Sequence, residues 1–228
     1  MKKVLLCAFF LTTIFSHAQF TEILSSDKPG QALSGSVVGK NVFQIQAGID
    51  YFESVSDFFP SSYFRYGLSE KIELNSNFLF SGENFGKELA SFTLGARFRL
   101  NNIESNIQSS LQISYDFKNQ GSNTQIIYIL ADSFSEKLAY NINIGLNLED
   151  GFSLNNGIYV FNLSYAINDK IGVFLEPFGT FLRSTFQFNI DSGVYYLLNN
   201  NLQLDTLIGE NNGLFVGAGV TWRLPSKK

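Results

Sequence analysis

The sequence predicts an all-β fold: a transmembrane, antiparallel, up-and-down β-barrel of about twelve strands. The stretch LAYNINIGLNL (138–148) alternates apolar and polar residues, which is the period of a strand with one apolar and one polar face. This alternation returns along most of the chain after residue 40, and no stretch shows the period of a helix. With no helix to cover it, the apolar face of so many strands is expected to contact lipid.

The first 18 residues, MKKVLLCAFFLTTIFSHA, have the three parts of a secretory signal peptide. Lys2 and Lys3 form the basic start, an apolar run follows, and small residues precede a cleavage site after Ala18. The run is too short and wrongly flanked for a membrane anchor. We therefore expect an exported mature chain that begins at Gln19.

The chemistry available to the mature chain is limited. The only Cys, His and Met of the sequence are Cys7, His17 and Met1, and all three leave with the signal peptide. Without a thiol or an imidazole, we expect no catalytic residue, no metal site, no cofactor and no enzymatic activity. Removing Lys2 and Lys3 from the 16 basic residues leaves 14 against 20 acidic ones, a net charge of −6, which argues against a nucleic-acid partner.

The chain divides into the signal peptide, an irregular N-terminal segment at residues 19–40, and a barrel at residues 41–228. Within the barrel the alternation predicts strands, in order, near 41–52, 61–68, 72–80, 89–100, 106–117, 124–132, 138–148, 155–166, 171–180, 186–198, 202–209 and 214–224. The sixth, TQIIYILAD, is apolar almost throughout, so the pattern does not decide which of its residues face the lumen. The ninth contains Pro177, which cannot donate to the ladder and predicts a bulge or a local opening.

Charged residues on the predicted strand bodies fall on the polar face, and none of them is lysine. Arginines and carboxylates among Asn, Gln, Ser and Gly are typical of a watery lumen with packed ion pairs. We expect a lumen charge network formed by Asp50, Arg65, Glu73, Arg97, Arg99, Glu176, Asp191, Asp205 and Arg223. Closure places the twelfth strand beside the first, so Arg223 and Asp50 are expected on one wall.

Loops and aromatics distinguish this fold from a soluble lipocalin-like barrel, whose strands also alternate. Connections after even strands look tight, as at NN (101–102), and several after odd strands look longer, as at ESVSDFFP (53–60). Short periplasmic turns and longer outer loops are the outer-membrane arrangement. Aromatics on the apolar face gather near both predicted rims, as interfacial girdles require: Tyr51, Phe80 and Phe117 near one, and Tyr66, Tyr140, Tyr165, Tyr196 and Trp222 near the other.

Five stretches resemble one bacterial outer-membrane family: SDKPGQA (26–32), VGKNVFQIQAGIDY (38–51), RYGLSEKIEL (65–74), FLEPFG (174–179) and VTWRL (220–224). The family is the MetA-pathway phenol-degradation family, whose members are often labelled transporters. The similarity runs across the mature chain, although Lys28 stands where the pattern would place an arginine. The signal peptide ending in Ala-Gln resembles those of Bacteroidetes. The resemblance implies an outer-membrane barrel and, by analogy, passage of hydrophobic or aromatic solutes.

Three functions remain open on the sequence. The first is an outer-membrane channel or carrier for a small solute whose identity is unknown, with outer-membrane lipid and the barrel-assembly machinery as partners. The second is a structural or adhesive barrel with a closed lumen, and the third is a membrane-bound hydrolase that lacks a visible nucleophile–base pair. The N-terminal segment must hang in the periplasm or fold into the lumen. We expect a partial plug docked through Asp27 and Lys28.

Overall fold

The computed structural model describes residues 23–81, 88–118, 121–149 and 153–224. Twelve strands form the molecule, in chain order β1 to β12: Phe43–Phe52, Asp57–Gly67, Ile72–Phe80, Leu89–Arg99, Gln108–Lys118, Ser122–Ser133, Leu138–Glu149, Ser153–Ala166, Ile171–Leu182, Thr185–Asn199, Leu202–Glu210 and Leu214–Leu224. Each strand pairs antiparallel with its sequence neighbours, and β1 pairs with β12, so the sheet closes. The all-β, twelve-stranded antiparallel barrel predicted from the sequence is confirmed. Within the described residues, no helix is long and apolar enough to cross a membrane.

The two faces of the wall follow the alternation of the sequence. Ile144 and Trp222 are about half exposed on the outer surface, at 52% and 49%, whereas Asn143 is 1% exposed and points into the barrel. The outward face also carries most of the exposed aromatics predicted for the girdles, among them Tyr66, Phe117, Tyr165, Tyr196 and Trp222. The sequence left open which residues of β6 face the lumen. Ile127 and Ile129 are buried inside the barrel, and Tyr128 is exposed on the outside.

The barrel has two rims, which we call the near rim and the far rim. The near rim holds the start of β1, the end of β12 and the connections after even strands, and the far rim holds the connections after odd strands. The predicted difference in loop length is wrong: each rim has one connection of eight residues, at 81–88 and 100–107, and the other connections of both rims span two to four residues. Strand β2 already begins at Asp57, which shortens the first far connection to residues 53–56, and the near connection after β4 spans residues 100–107 instead of 101–102.

Pro60 and Pro177 lie where the backbone pairing between neighbouring strands is incomplete. Pro60 pairs with Ile49 of β1, but the β2–β3 ladder only starts at Ser61, so the missing N–H faces no strand on that side. At Pro177 the β8–β9 ladder stops after Val160 and resumes at Leu163 in the same register. The local opening predicted at Pro177 is confirmed.

Residues 23–42 enter the barrel before β1 begins, and we call residues 23–38 the inserted segment. The chain turns into β1 where Gly67 donates its N–H to the carbonyl of Val42 and accepts from the N–H of Asn41. A Cβ on Gly67 would lie 1.7 Å from the carbonyl oxygen of Gly39, so only glycine permits this approach. The glycine of the RYGL stretch therefore fixes how the inserted segment joins the wall.

Candidate functional site

The inserted segment crosses the lumen without regular structure, so its backbone groups need partners from the barrel wall. Lumen side chains supply them. Asn143 accepts from the N–H of Leu33 at 2.6 Å and donates to its carbonyl at 3.1 Å, and Ser110 donates to the carbonyl of Gly35 at 2.6 Å. Such amides and hydroxyls replace the ladder that an irregular segment lacks.

The start of the segment is held by the seam between β1 and β12. The Ser26 hydroxyl lies 2.8 Å from the Thr221 hydroxyl and 3.1 Å from Oε1 of Gln46, which also accepts from the N–H of Asp27. Gln44 donates to the carbonyl of Ser25 at 2.9 Å. Both glutamines have no solvent exposure, so this end of the segment is packed against the wall.

Arg65 and Arg97 form a buried ion-pair layer with two carboxylates. Arg65 holds Glu73 through Nε and Nη2, both at 2.8 Å, and Arg97 holds Asp27 through Nη2 at 2.9 Å and Nη1 at 3.2 Å. Both arginines and Glu73 have no exposure, and Asp27 is 7% exposed. Charges this deeply buried need such paired geometry because desolvation would otherwise destabilise the fold.

Asp27 is the centre of this layer. Its Oδ1 accepts the N–H of Ser34 at 2.5 Å, and its Oδ2 lies 3.6 Å from Nε of Arg65. Burial raises the pKa of the Asp27 carboxyl, but Arg65 and Arg97 together outweigh burial and hold that pKa below its usual value. Asp27 is therefore ionised at neutral pH and links the segment to the wall by charge.

Lys28, the residue after Asp27, interacts with carboxylates of the barrel wall. Lys28 Nζ lies 3.9 Å from Asp50 on β1 and interacts electrostatically with Asp205 on β11. Glu176 and Asp191 face one another in register across β9 and β10, and each is at most 1% exposed. The lumen thus has a guanidinium side on β2 and β4 and an acidic side on β1 and β9 to β11, with Asp27 and Lys28 directed to the complementary sides.

Glu176 binds the middle of the segment. Its carboxylate accepts the N–H of Gln31 and that of Ala32, the latter at 3.2 Å, and Oε2 also accepts from Asn162 at 2.8 Å. A Cβ on Gly30 would lie 2.6 Å from Oε1 of Glu176. The glycine lets the backbone approach the carboxylate, which stands beside the ladder opening at Pro177.

Two further residues predicted for the charge network bond to connections at the near rim. Arg99 donates to the carbonyls of Asn102 and Ile103 in the near-rim connection after β4. Arg223 donates to the Asn201 side chain and the Asn200 carbonyl at the same rim. Arg223 stands opposite Gln44, whereas Asp50 stands opposite Gly217, six positions away and about 20 Å along the strand. Arg223 and Asp50 therefore lie on adjacent strands, as predicted, but at different depths in the barrel.

An apolar cluster inside the barrel was missed by the sequence reasoning. Val160, Phe174, Phe178, Leu207 and Phe215 pack together, with Ala32 and Phe52 against them. Phe174 is the cross-strand partner of Gly193, and Phe215 is the cross-strand partner of Gly209. Each ring lies over its glycine, in space that a side chain would occupy, since a Cβ there would be 2.5 Å from the ring. Phenylalanines at positions of the polar face, opposite glycines, are the sequence signal that could have revealed this filling.

Two cavities flank the inserted segment. The near cavity, of about 540 Å³, reaches the near-rim turns at Lys137 and Asn168, and the far cavity, of about 560 Å³, reaches Asn211 at the far rim. Asp27, Lys28 and Gly30 line both. Among the described residues, no group of three or more His, Cys, Asp or Glu side chains is placed to hold a metal ion.

Comparisons with known proteins place the fold. No family model and no curated protein sequence matches the chain. Among solved structures, the KdgM porin aligns with a TM-score of 0.66 at 9% identity, over 78% of this chain and 98% of that one. The NanC porin aligns at 0.61 and 7% identity, over 79% and 100% of the two chains. Omp33, an outer-membrane protein of Acinetobacter baumannii, aligns at 0.55 and 8% identity, over 81% and 99%. The chain shares the barrel fold of these proteins.

Proposed function

We propose that the mature chain is an outer-membrane channel for small solutes, with the near rim in the periplasm and the inserted segment acting as a plug. The observation that carries the proposal is the pair of cavities, about 540 and 560 Å³, which lie on either side of this segment and share Asp27, Lys28 and Gly30 in their linings. Each cavity has the volume of a small-molecule site. The signal peptide and the apolar outer band support export and membrane insertion by the barrel-assembly machinery. Membership of the MetA-pathway family is part of this proposal.

The charges of the lumen argue for a neutral or cationic solute. Arg65 and Arg97, the arginines of the ion-pair layer, are occupied by Glu73 and Asp27, and the acidic side carries Asp50, Glu176, Asp191 and Asp205 against Lys28. A similar porin, KdgM, has been solved in complex with disordered oligogalacturonate. In the middle of the lumen, a polyanion of that kind would meet Arg65 and Arg97 already paired with carboxylates. We therefore propose that passage is passive and non-enzymatic, and that anionic solutes are disfavoured.

A structural barrel with a closed lumen is the second candidate. It is favoured by the contacts of the inserted segment, which reach β1, β2, β3, β4, β5, β7, β9, β11 and β12. A segment held around the whole circumference is expected to leave the lumen slowly. The two candidates differ in whether any variant of the chain conducts ions.

Deletion of residues 19–36 tests both candidates in planar bilayers. The deletion removes Asp27 and the backbone that separates the cavities while leaving the entry into β1 at residues 39–42. If the segment is a plug, conductance should rise several-fold over the full mature chain. Folding of both proteins is checked by the different gel mobility of unheated barrels. Equal and negligible conductance in a folded deletion variant would exclude the channel and favour the closed structural barrel.

A further inference from the structure

The far cavity carries polar groups that the fold does not use. The Ser61 hydroxyl, the Tyr63 hydroxyl and the amide nitrogen of Asn75 are buried, and none has a hydrogen-bond partner within the described part of the chain. All three residues line the far cavity and come from the adjacent strands β2 and β3. Because leaving such groups unpaired is unfavourable, their clustering on one wall points to a ligand with hydrogen-bonding groups.

The rest of the lining defines the chemistry of that ligand. Amides surround the cavity, contributed by Asn77, Gln112, Gln125, Asn143, Gln187 and Asn189. Across the barrel from β2 and β3, a smaller apolar patch is formed by Ile127, Ile158, Val160 and Phe178. A compound that fits both surfaces has hydroxyls around most of its edge and a limited apolar face.

The charges at the floor of the far cavity are already paired. Arg97, which approaches Tyr63, is held by Asp27, and Asp50 is held by Lys28 at 3.9 Å. An anion would have to displace Asp27, and a cation would have to displace Lys28. The far cavity therefore favours an uncharged ligand.

We propose that the far cavity is a binding site for a neutral saccharide of up to disaccharide size, with its hydroxyls on Ser61, Tyr63 and Asn75 and one ring face on the apolar patch. The volume of about 560 Å³ lies within the range of small-molecule sites. The assignment rests on the proposed channel function, because it names the solute class at the outer side of the plug. A phenol, which has one hydroxyl, could not pair with all three of the groups at Ser61, Tyr63 and Asn75.

Equilibrium dialysis of the detergent-solubilised full mature chain tests the site directly, with maltose as the probe. Saturable maltose binding is expected, competed by glucose but much more weakly by glucuronate or phenol. Tyr63→Phe and Asn75→Ala should each weaken maltose binding ~3- to 10-fold, the effect of one hydrogen bond. Tyr165→Phe, which removes a hydroxyl from the outer surface of β8, is the matched control and should bind like the parent chain.

Each alternative result overturns a different statement. Maltose binding that is absent, or unchanged in Tyr63→Phe, ends the saccharide assignment, as does stronger binding of glucuronate or phenol. Maltose uptake into proteoliposomes is measured in parallel. Saturable binding without uptake leaves the site in place and excludes the channel, whereas uptake without saturable binding leaves the channel in place and removes the site.

Discussion

Arg97 shows how much of the interior depends on single side chains. It has no exposure and bonds to Gln112 on the wall and to Asp27 and Ser34 of the inserted segment. Removing it alone leaves Asp27 buried with only the more distant Arg65 at 3.6 Å. An uncompensated buried charge is more damaging than the loss of a complete pair.

The first prediction is a double-mutant cycle on this pair. Arg97→Met should destabilise the barrel by ~3 kcal/mol, and the double variant Arg97→Met with Asp27→Asn should be more stable than Arg97→Met alone. Urea unfolding in lipid vesicles, followed by gel mobility, measures the free energies. Arg99→Met, outside the ion-pair layer, should change stability by less than ~0.5 kcal/mol. Strictly additive losses at positions 97 and 27 would show that the two side chains do not act as a pair.

The second prediction concerns acid. Because the pKa of Asp27 in the folded protein lies below its usual value near ~4, its ionised form stabilises the fold at higher pH, and this contribution disappears as the pH falls through the folded pKa. Asp27→Asn should therefore be clearly less stable than the parent at pH 7, and the difference should shrink steadily as the pH falls below about 4. Other carboxylates titrate in both proteins and cancel in the difference. A gap that widens in acid would contradict the ionised assignment.

The pairing of Asp27 with Arg97 could not be predicted from the sequence, although both residues were. Asp27 and Arg97 are 70 positions apart in the sequence, and Gln31 and Glu176 are also far apart. Whether such residues meet depends on the path of an irregular segment that has no periodicity. Alternation predicted only that the arginines face inward. Arg99 and Arg223 lie near a rim because each is at or next to the end of its strand, β4 or β12.

Strands were predictable because their alternation is local. Strand β7 begins at Leu138 and ends at Glu149, one residue beyond its prediction. The prediction for β2 began four residues late, at 61 instead of 57, because Pro60 was taken as part of a loop. Its missing N–H is tolerated where β3 does not yet pair. The connection at residues 100–107 was predicted too short because only NN (101–102) was interpreted as its turn.

Strand β7 also allows the lipid contact to be measured. Ile144 is 52% exposed near the middle of the outward face, and Leu138 lies at the near rim on the same face. Ile144→Arg should destabilise the barrel by ~2–4 kcal/mol and Leu138→Arg by no more than ~1 kcal/mol, because the cost of a charge falls with distance from the bilayer centre. Vesicle unfolding gives both values. Equal losses at the two depths would mean that β7 does not cross a bilayer.

The five stretches that carry the family resemblance meet in the folded molecule. SDKPGQA supplies the inserted segment, RYGLSEKIEL supplies Arg65 and Glu73, FLEPFG supplies Glu176, and the remaining two supply Gln46 and Thr221 at the seam. Each stretch contacts the segment or the turn that follows it. The motifs therefore describe one docking arrangement distributed around the closed barrel, which no single stretch reveals.

If the inserted segment is a plug, it must move for the two cavities to connect, because the barrel wall holds it on nearly all sides. The mature chain offers a way to prevent that motion, because the only cysteine of the sequence, Cys7, lies in the predicted signal peptide. The hydroxyls of Ser26 and Thr221 lie 2.8 Å apart, so cysteines at these positions can form a disulfide with little rearrangement. Such a bond would tie the start of the inserted segment to β12.

The final prediction is that this bond closes the proposed channel reversibly. Under oxidising conditions, Ser26→Cys with Thr221→Cys should lower bilayer conductance several-fold relative to the same protein after dithiothreitol. The two single-cysteine variants should respond to neither treatment. Because oxidation and reduction act on one folded sample, a difference in folding cannot explain the change. If the oxidised and reduced double variant conduct equally, the solute path does not require displacement of the segment, and the proposed plug is wrong.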